Sequence, residues 1–245
     1  MRLKFLGRGS AFNVSESNTS AYYKNENGLM LLIDCGETVF GTIKQNNILN
    51  DVQKLHIVIS HTHSDHIGSL GSLCLLNFFA RKQKTNIVLS GKEDLDVLVK
   101  NVLAAFGIDE KYINFVTIND LLNDFKEFES FEYVKGNHVA EIPTYGFLIN
   151  HKTDGITYYS SDTNDVTTLK SLILNKKNKT DAIYIDTCKA DYPGNVHLSA
   201  RILLEVVPQN FKDKIWCMHL DNAAFEPDLI NMEFNVVNHR KDLNI

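Results

Sequence analysis

The segment His61-Thr62-His63-Ser64-Asp65-His66 constrains this chain more than any other. It follows the compact β-branched run His56-Ile57-Val58-Ile59-Ser60 and precedes a stretch of helical periodicity from Ile67 to Lys82. A loop leaving a strand end can turn alternate side chains towards one point. Neutral imidazoles and carboxylates are ligands for Zn2+ and similar borderline metals. Three imidazoles and a carboxylate exceed what one ion takes from so short a segment. The spacing therefore predicts two adjacent divalent metal ions.

A two-ion site needs ligands from elsewhere in the chain. His138 closes Gly136-Asn137-His138, Asp162 follows the strand Tyr158–Ser161, and His219 follows the strand Lys214–Met218. Each stands just past the C-terminal end of a predicted strand, where sites of α/β proteins gather. His56 reads as structural because it starts a buried strand. His151 and His239 fall in turn or tail sequence and receive no role.

The remaining pattern supplies the frame. Alternation predicts strands at Arg2–Leu6, Ser20–Lys24, Leu29–Ile33, Asn86–Ser90, Ile113–Ile118, Phe131–Val134, Tyr145–Asn150, Gly155–Ser160, Ala182–Ile185 and Phe234–Val237. Helices are predicted at Glu37–Gln45, Glu93–Phe106, Val166–Leu174 and Ser199–Val206. The basic run Lys176-Lys177-Asn178-Lys179 reads as a solvated turn. No Pro/Gly-rich linker interrupts the chain. The pattern predicts an α/β protein: two sheets of mixed strands with helices outside, a four-layer αββα sandwich forming one domain over residues 1–245.

Composition narrows the function. With 25 basic and 30 acidic side chains the net charge is −5, a poor footing for a long nucleic acid. A hydrophobic content of 44% is that of an ordinary globular protein, and no apolar run approaches the ~20 residues of a membrane span. The opening residues lack the apolar core of a signal peptide. The cysteines Cys35, Cys74, Cys188 and Cys217 are scattered and form no C-x-x-C pair, which predicts reduced core thiols in a cytoplasmic protein.

The order and spacing of His61, His63, Asp65, His66, His138, Asp162 and His219 resemble the metallo-β-lactamase superfamily over essentially the whole chain. Two further segments resemble its ribonuclease Z and cyclic-nucleotide phosphodiesterase branch: Gly7-Arg8-Gly9-Ser10 with Asn18-Thr19-Ser20, and Asp186-Thr187 with Val196-His197-Leu198-Ser199. The opening Lys4 to Asn13 and the compact length are similar to the phage-encoded anti-Pycsar phosphodiesterases, which destroy the cyclic nucleotide signals of bacterial anti-phage defence.

The resemblance implies the following roles. His61, His63 and His138 hold one ion; Asp65, His66 and His219 hold the second; Asp162 bridges both. The ions are Zn2+, with Mn2+ as the other candidate. Asp65, His197 and Asp186 are the catalytic set, His197 being a proton donor to the leaving oxygen, oriented by Asp186 where the branch usually has a glutamate. Gly7 to Ser10 line the pocket. Phe12, Tyr112 and Tyr192 are candidates to stack on a nucleotide base, though packing explains each more simply. The implied substrate is a 3′,5′-cyclic mononucleotide such as cCMP, cUMP, cAMP or cGMP, opened to a nucleoside monophosphate, and the implied assembly is a homodimer. The alternative is a ribonuclease Z-type endonuclease that trims transfer RNA 3′ ends. A β-lactamase or thioesterase and a non-catalytic nucleotide binder rank below both.

Overall fold

In the computed structural model residues 1–175 and 179–243 are described, so Lys176, Lys177 and Asn178 of the basic run lie outside the described residues. The chain divides into two compact units that exchange segments along the sequence. One comprises Leu3–Gly7, Ser17–Lys126 and the described residues from His239; the other comprises Met1–Arg2, Arg8–Glu16 and Glu127–Asn238.

The first unit is built on a six-stranded sheet ordered as in the sequence: β1 (Lys4–Gly7), β2 (Ser20–Lys24), β3 (Leu29–Ile33), β4 (Lys54–Val58), β5 (Thr85–Val88) and β6 (Ile113–Val116). β1, β2 and β3 pair antiparallel, and β3 to β6 run parallel. The apolar run Leu31-Leu32-Ile33 and its partners Ile57 and Val58 are fully buried, as strands covered on both faces require. The helices are α1 (Val39–Gln45), α2 (Ser64–Ile67), α3 (Leu70–Arg81), α4 (Glu93–Ala105) and α5 (Ile118–Asp124).

Two features of this unit depart from the sequence expectation. The single helix expected from Ile67 to Lys82 is two, broken at Gly68-Ser69. Ser69 Oγ donates to the Gly36 carbonyl and accepts from the Phe40 amide at 3.1 Å. That side chain fixes a bend, and the first helical turn begins earlier, at Ser64. Asp65 and His66 therefore sit on a turn of helix and not in an open loop. α5 was absent from the expectation because Ile118 reads as the end of a strand. Thr117 and Asp120 form a reciprocal capping box that starts a helix there.

The second unit carries the other six-stranded sheet, in the order β12-β11-β10-β9-β8-β7. Its strands are β7 (Phe128–Lys135), β8 (Tyr145–His151), β9 (Gly155–Tyr159), β10 (Thr180–Asp186), β11 (Ile215–Met218) and β12 (Asn235–Val236). β7, β8 and β9 form an antiparallel meander, and β9 to β12 run parallel. Its helices are α6 (Thr167–Asn175), α7 (Ala200–Val206) and α8 (Glu226–Asn231). Leu169, Leu172, Leu203 and Leu229 from these helices share a core with Ile183, Ile185 and Ile215 of the strands. The last helix, α9 (His239–Leu243), belongs to the first unit, where Asp242 accepts from the Phe5 amide at 2.9 Å. His239 is thus helical and buried, not a tail residue.

All four cysteines are free and buried, and burial pushes their thiols up to about 12. They are inert core residues, as expected. Among the described residues, no helix is long and apolar enough to cross a membrane.

Candidate functional site

In the first unit β3 and β4 run parallel, so their C-terminal ends lie at one edge of the sheet. Asp34 follows β3 there, and Ser60 and His61 follow β4. Asp34 is fully buried and accepts three hydrogen bonds: from the Ser60 amide at 2.7 Å, from Ser60 Oγ at 2.7 Å and from His66 Nδ1 at 2.9 Å. Ser60 Oγ in turn lies 3.0 Å from His61 Nδ1. Since a carboxylate only accepts and the serine proton is already directed at Asp34, both histidines donate through Nδ1. Nε2 is then the lone-pair nitrogen of each, the form that binds a metal.

The motif residues are brought together. The His61 and His66 rings are 4.1 Å apart, His61 and His63 are 4.8 Å apart, and His61 Nε2 faces His63 Nδ1 at 3.1 Å. His66 Nε2 lies 3.4 Å from Asp65 Oδ2. Gly36 makes this packing possible, since a Cβ there would stand 1.9 Å from the Asp65 carbonyl oxygen.

In the second unit β7, β9, β10 and β11 share a direction, and their C-terminal ends carry His138, Asp162, Asp186 and His219 respectively. Asp162, Asp186, His197 and His219 each offer a ligand atom within 4.8 Å of the others. The two histidines at strand ends repeat the tautomer logic of the first unit. His138 Nδ1 faces the Val196 carbonyl at 3.4 Å, and His219 Nδ1 faces Asp186 Oδ1 at 3.4 Å. Their Nε2 atoms turn to Asp162, at 3.8 Å from Oδ2 for His138 and 3.4 Å from Oδ1 for His219. A lone pair facing a carboxylate oxygen is repulsive unless a cation stands between them. The donor set of the second unit therefore fits a divalent metal.

His197 sits among these groups. Its ring stacks on His219 at 5.0 Å and lies 4.9 Å from His138. His197 Nδ1 is 2.7 Å from Asp186 Oδ2, an oxygen that also accepts from the Thr163 amide at 3.0 Å. The aspartate thus reaches the histidine despite its short side chain. Burial alone would lower the His197 pKa, but the charge and hydrogen bond of Asp186 outweigh it and the net shift is upward.

Two residues escaped the sequence reading: Asp34 and Ser60. Both orient histidines without being candidate ligands. The signal available was the position of Asp34 just past the buried strand Leu29–Ile33, the same kind of place that His138, Asp162 and His219 occupy. Backbone strain marks the same places. Asp34, Ser161 and His219 are three of seven non-glycine residues with positive φ among the described residues, at 62°, 54° and 59°. Of the aromatic candidates, Tyr112 packs on Phe78 at 5.2 Å, whereas Phe12 and Tyr192 are exposed.

Comparison with known proteins agrees with this chemistry. The anti-Pycsar protein Apyc1 from Bacillus phage BSP38 is 26% identical over 242 residues, covering 89% of this chain and 88% of that one. A ribonuclease Z from Methanococcus aeolicus is 30% identical over 164 residues, 62% of this chain and 47% of that protein. The metallo-β-lactamase fold protein YhfI from Bacillus subtilis superposes with a TM-score of 0.70 at 15% identity, covering 96% of this chain and 94% of that one. The fold is thus the metallo-β-lactamase fold of the expected α/β class. The family described as anti-Pycsar protein Apyc1 matches residues 1–240, and the chain, a metal-dependent hydrolase by fold and donor set, belongs to it.

Proposed function

We propose that this chain is a phosphodiesterase that opens 3′,5′-cyclic nucleotides, cCMP, cUMP, cAMP and cGMP among them, to nucleoside monophosphates. Its biological effect would be to remove the cyclic signal of bacterial Pycsar defence in the cytoplasm of a phage-infected cell. In this reading His61, His63 and His138 hold one divalent ion, Asp65, His66 and His219 hold the other, and Asp162 serves both. Zn2+ suits the imidazole-rich donor set, and Mn2+ is the second candidate. Bound there, the ions would supply positive charge to a phosphodiester and activate water at neutral pH. The assembly is proposed to be a homodimer.

The observation that carries the reading is the His197–Asp186 pair at 2.7 Å. A ribose alkoxide leaves poorly unless it is protonated. Asp186 occupies His197 Nδ1 and raises the ring's proton affinity, so Nε2 is the atom left to deliver a proton to the departing ribose oxygen. Against two divalent ions the ligand carboxylates Asp65 and Asp162 would return only two negative charges, so an anionic ester would be attracted.

Ribonuclease Z relatives make RNA processing the competing reading. That enzyme usually carries an RNA-gripping arm between the third histidine and the bridging aspartate. Here 23 residues separate His138 from Asp162, and β8 and β9 take up most of them. The test is turnover of the four cyclic nucleotides by metal-loaded protein against cleavage of a 3′-extended transfer RNA precursor. Nucleoside monophosphate formation is expected; preferential RNA cleavage overturns the proposal.

A further inference from the structure

His219 has a left-handed backbone at φ 59°, a conformation that a residue with a side chain holds only where its surroundings impose it. The surroundings are unusually complete on its C-terminal side. The Leu220 amide donates to the Arg8 carbonyl at 2.8 Å. The Leu220 carbonyl accepts twice, from the Ser10 amide at 3.1 Å and from Asn13 Nδ2 at 2.8 Å. Gly9 and Leu220 form an isolated parallel bridge. On the other side, the Met218 carbonyl accepts from the Thr187 amide at 3.0 Å. Both neighbours of His219 are therefore fixed by segments distant in sequence.

The segment from Arg8 to Glu16 is itself braced. Arg8 is buried and uses its whole guanidinium: Nε to Glu16 Oε2 at 2.6 Å, Nη2 to Glu226 Oε2 at 2.7 Å and Nη1 to the Val237 carbonyl at 3.0 Å. The Arg8 amide donates to the Glu16 carbonyl at 3.0 Å, closing the loop on itself. Asn13 is held for its task, since its Oδ1 accepts from Ser15 Oγ at 2.9 Å, which directs Nδ2 at Leu220.

We propose that Arg8 and Asn13 are positioning residues for His219. The loop is a splint: Arg8 stiffens it, and Asn13 transmits its position to the Leu220 carbonyl. Leu220 in turn fixes the φ of His219 and the aim of its Nε2. Any rotation about that bond swings the imidazole off Asp162. The inference rests on the reading of His219 as a metal ligand, and it assigns the N-terminal loop a mechanical task instead of a pocket-lining one.

The experiment uses Asn13→Ala and Asn13→Asp, which remove a single donor and leave the buried arginine network intact. His219→Ala is the reference. Zinc affinity is measured by chelator competition with metal counting, and the thermal midpoint is measured on metal-free protein. The expected result is that one of the two ions binds about ten- to a hundredfold more weakly in both Asn13 variants, as for loss of a group that orients a ligand, with the metal-free midpoint unchanged. A lowered metal-free midpoint with wild-type zinc affinity overturns the proposal and makes the loop purely structural. If His219→Ala loses an ion while both Asn13 variants keep wild-type affinity, positioning fails and the ligand reading stands. If His219→Ala itself retains both ions at full affinity, the ligand reading fails and the proposal with it.

Discussion

His197 Nδ1 and Asp186 Oδ2 lie 2.7 Å apart, although the His197 side chain is 26% exposed and Asp186 is fully buried. The buried partner also accepts from the Thr163 amide and faces His219, so it is fixed from three directions. His197→Ala is expected to lower kcat by about 10²- to 10⁴-fold, the range of a lost general acid, with both ions retained. Steady-state kinetics beside metal counting checks this. An unchanged kcat, or a loss confined to metal content, refutes the role.

Asp34 organises the first unit as Asp186 does the second. It accepts from Ser60 twice and from His66, and so sets the tautomers of two histidines. Its φ of 62° is one that asparagine tolerates. Asp34→Asn therefore separates charge from backbone strain. The variant is expected to fold, to lose about 1–3 kcal/mol of stability through a mismatched donor, and to hold metal more weakly. Chemical denaturation and chelator competition provide the check; wild-type metal affinity would mean that Asp34 serves the fold alone.

How much of this was legible beforehand follows from the type of signal. The ligand candidates stood out because a chain spaces His61, His63, Asp65 and His66 so closely only for a chemical reason. The strands were readable because Leu29–Ile33 and His56–Ser60 are apolar runs between turns. The groups that orient the ligands were not readable. Asp34 and Ser60 act through contacts with residues far along the chain, and Asn13 acts on Leu220, more than two hundred positions away by number. Such pairs leave no local period. The break at Gly68-Ser69 was hidden for the same reason, since it depends on Gly36 and Phe40. α5 differs: the Thr117–Asp120 spacing is a local helix-start signal, and it was lost beneath the β-branched run before it.

Gly36 is the tightest contact around the His61–His66 motif. A Cβ there would meet the Asp65 carbonyl oxygen at 1.9 Å and carbon at 2.5 Å, and backbone cannot swing aside as a flexible side chain can. Gly36→Ala should therefore displace the α2 turn and cost at least about 1–3 kcal/mol, the range for overpacking. Thermal melting of the metal-free protein tests the energy. A variant that melts with the wild type would show that the segment accommodates the methyl group.

The pH dependence of stability should carry a signature of His56. This histidine is fully buried, its ring edge-on to Phe125 at 5.6 Å, and burial holds its pKa down at about 4 despite Asp124 Oδ2 at 2.9 Å from Nε2. Nε2 lies between Asp124 Oδ2 and the Asn86 amide nitrogen, which is 3.2 Å away, while Nδ1 is buried without a hydrogen-bond partner, so a charged ring gains too little to offset its burial. Lys54, 2.5 Å from the same carboxylate oxygen, opposes the charged form further. The unfolded chain takes up this proton near the ordinary imidazole value of 6.5, so between pH 6.5 and 4 it binds more protons than the folded protein. Stability from this group is complete above pH 6.5 and falls as the pH drops towards 4, by about 3 kcal/mol in all. Denaturant unfolding of wild type and His56→Asn across that window measures it. The variant is expected to be less stable at neutral pH but to lose less stability on acidification; equal slopes would show that His56 charges as readily in the folded protein as in the unfolded chain.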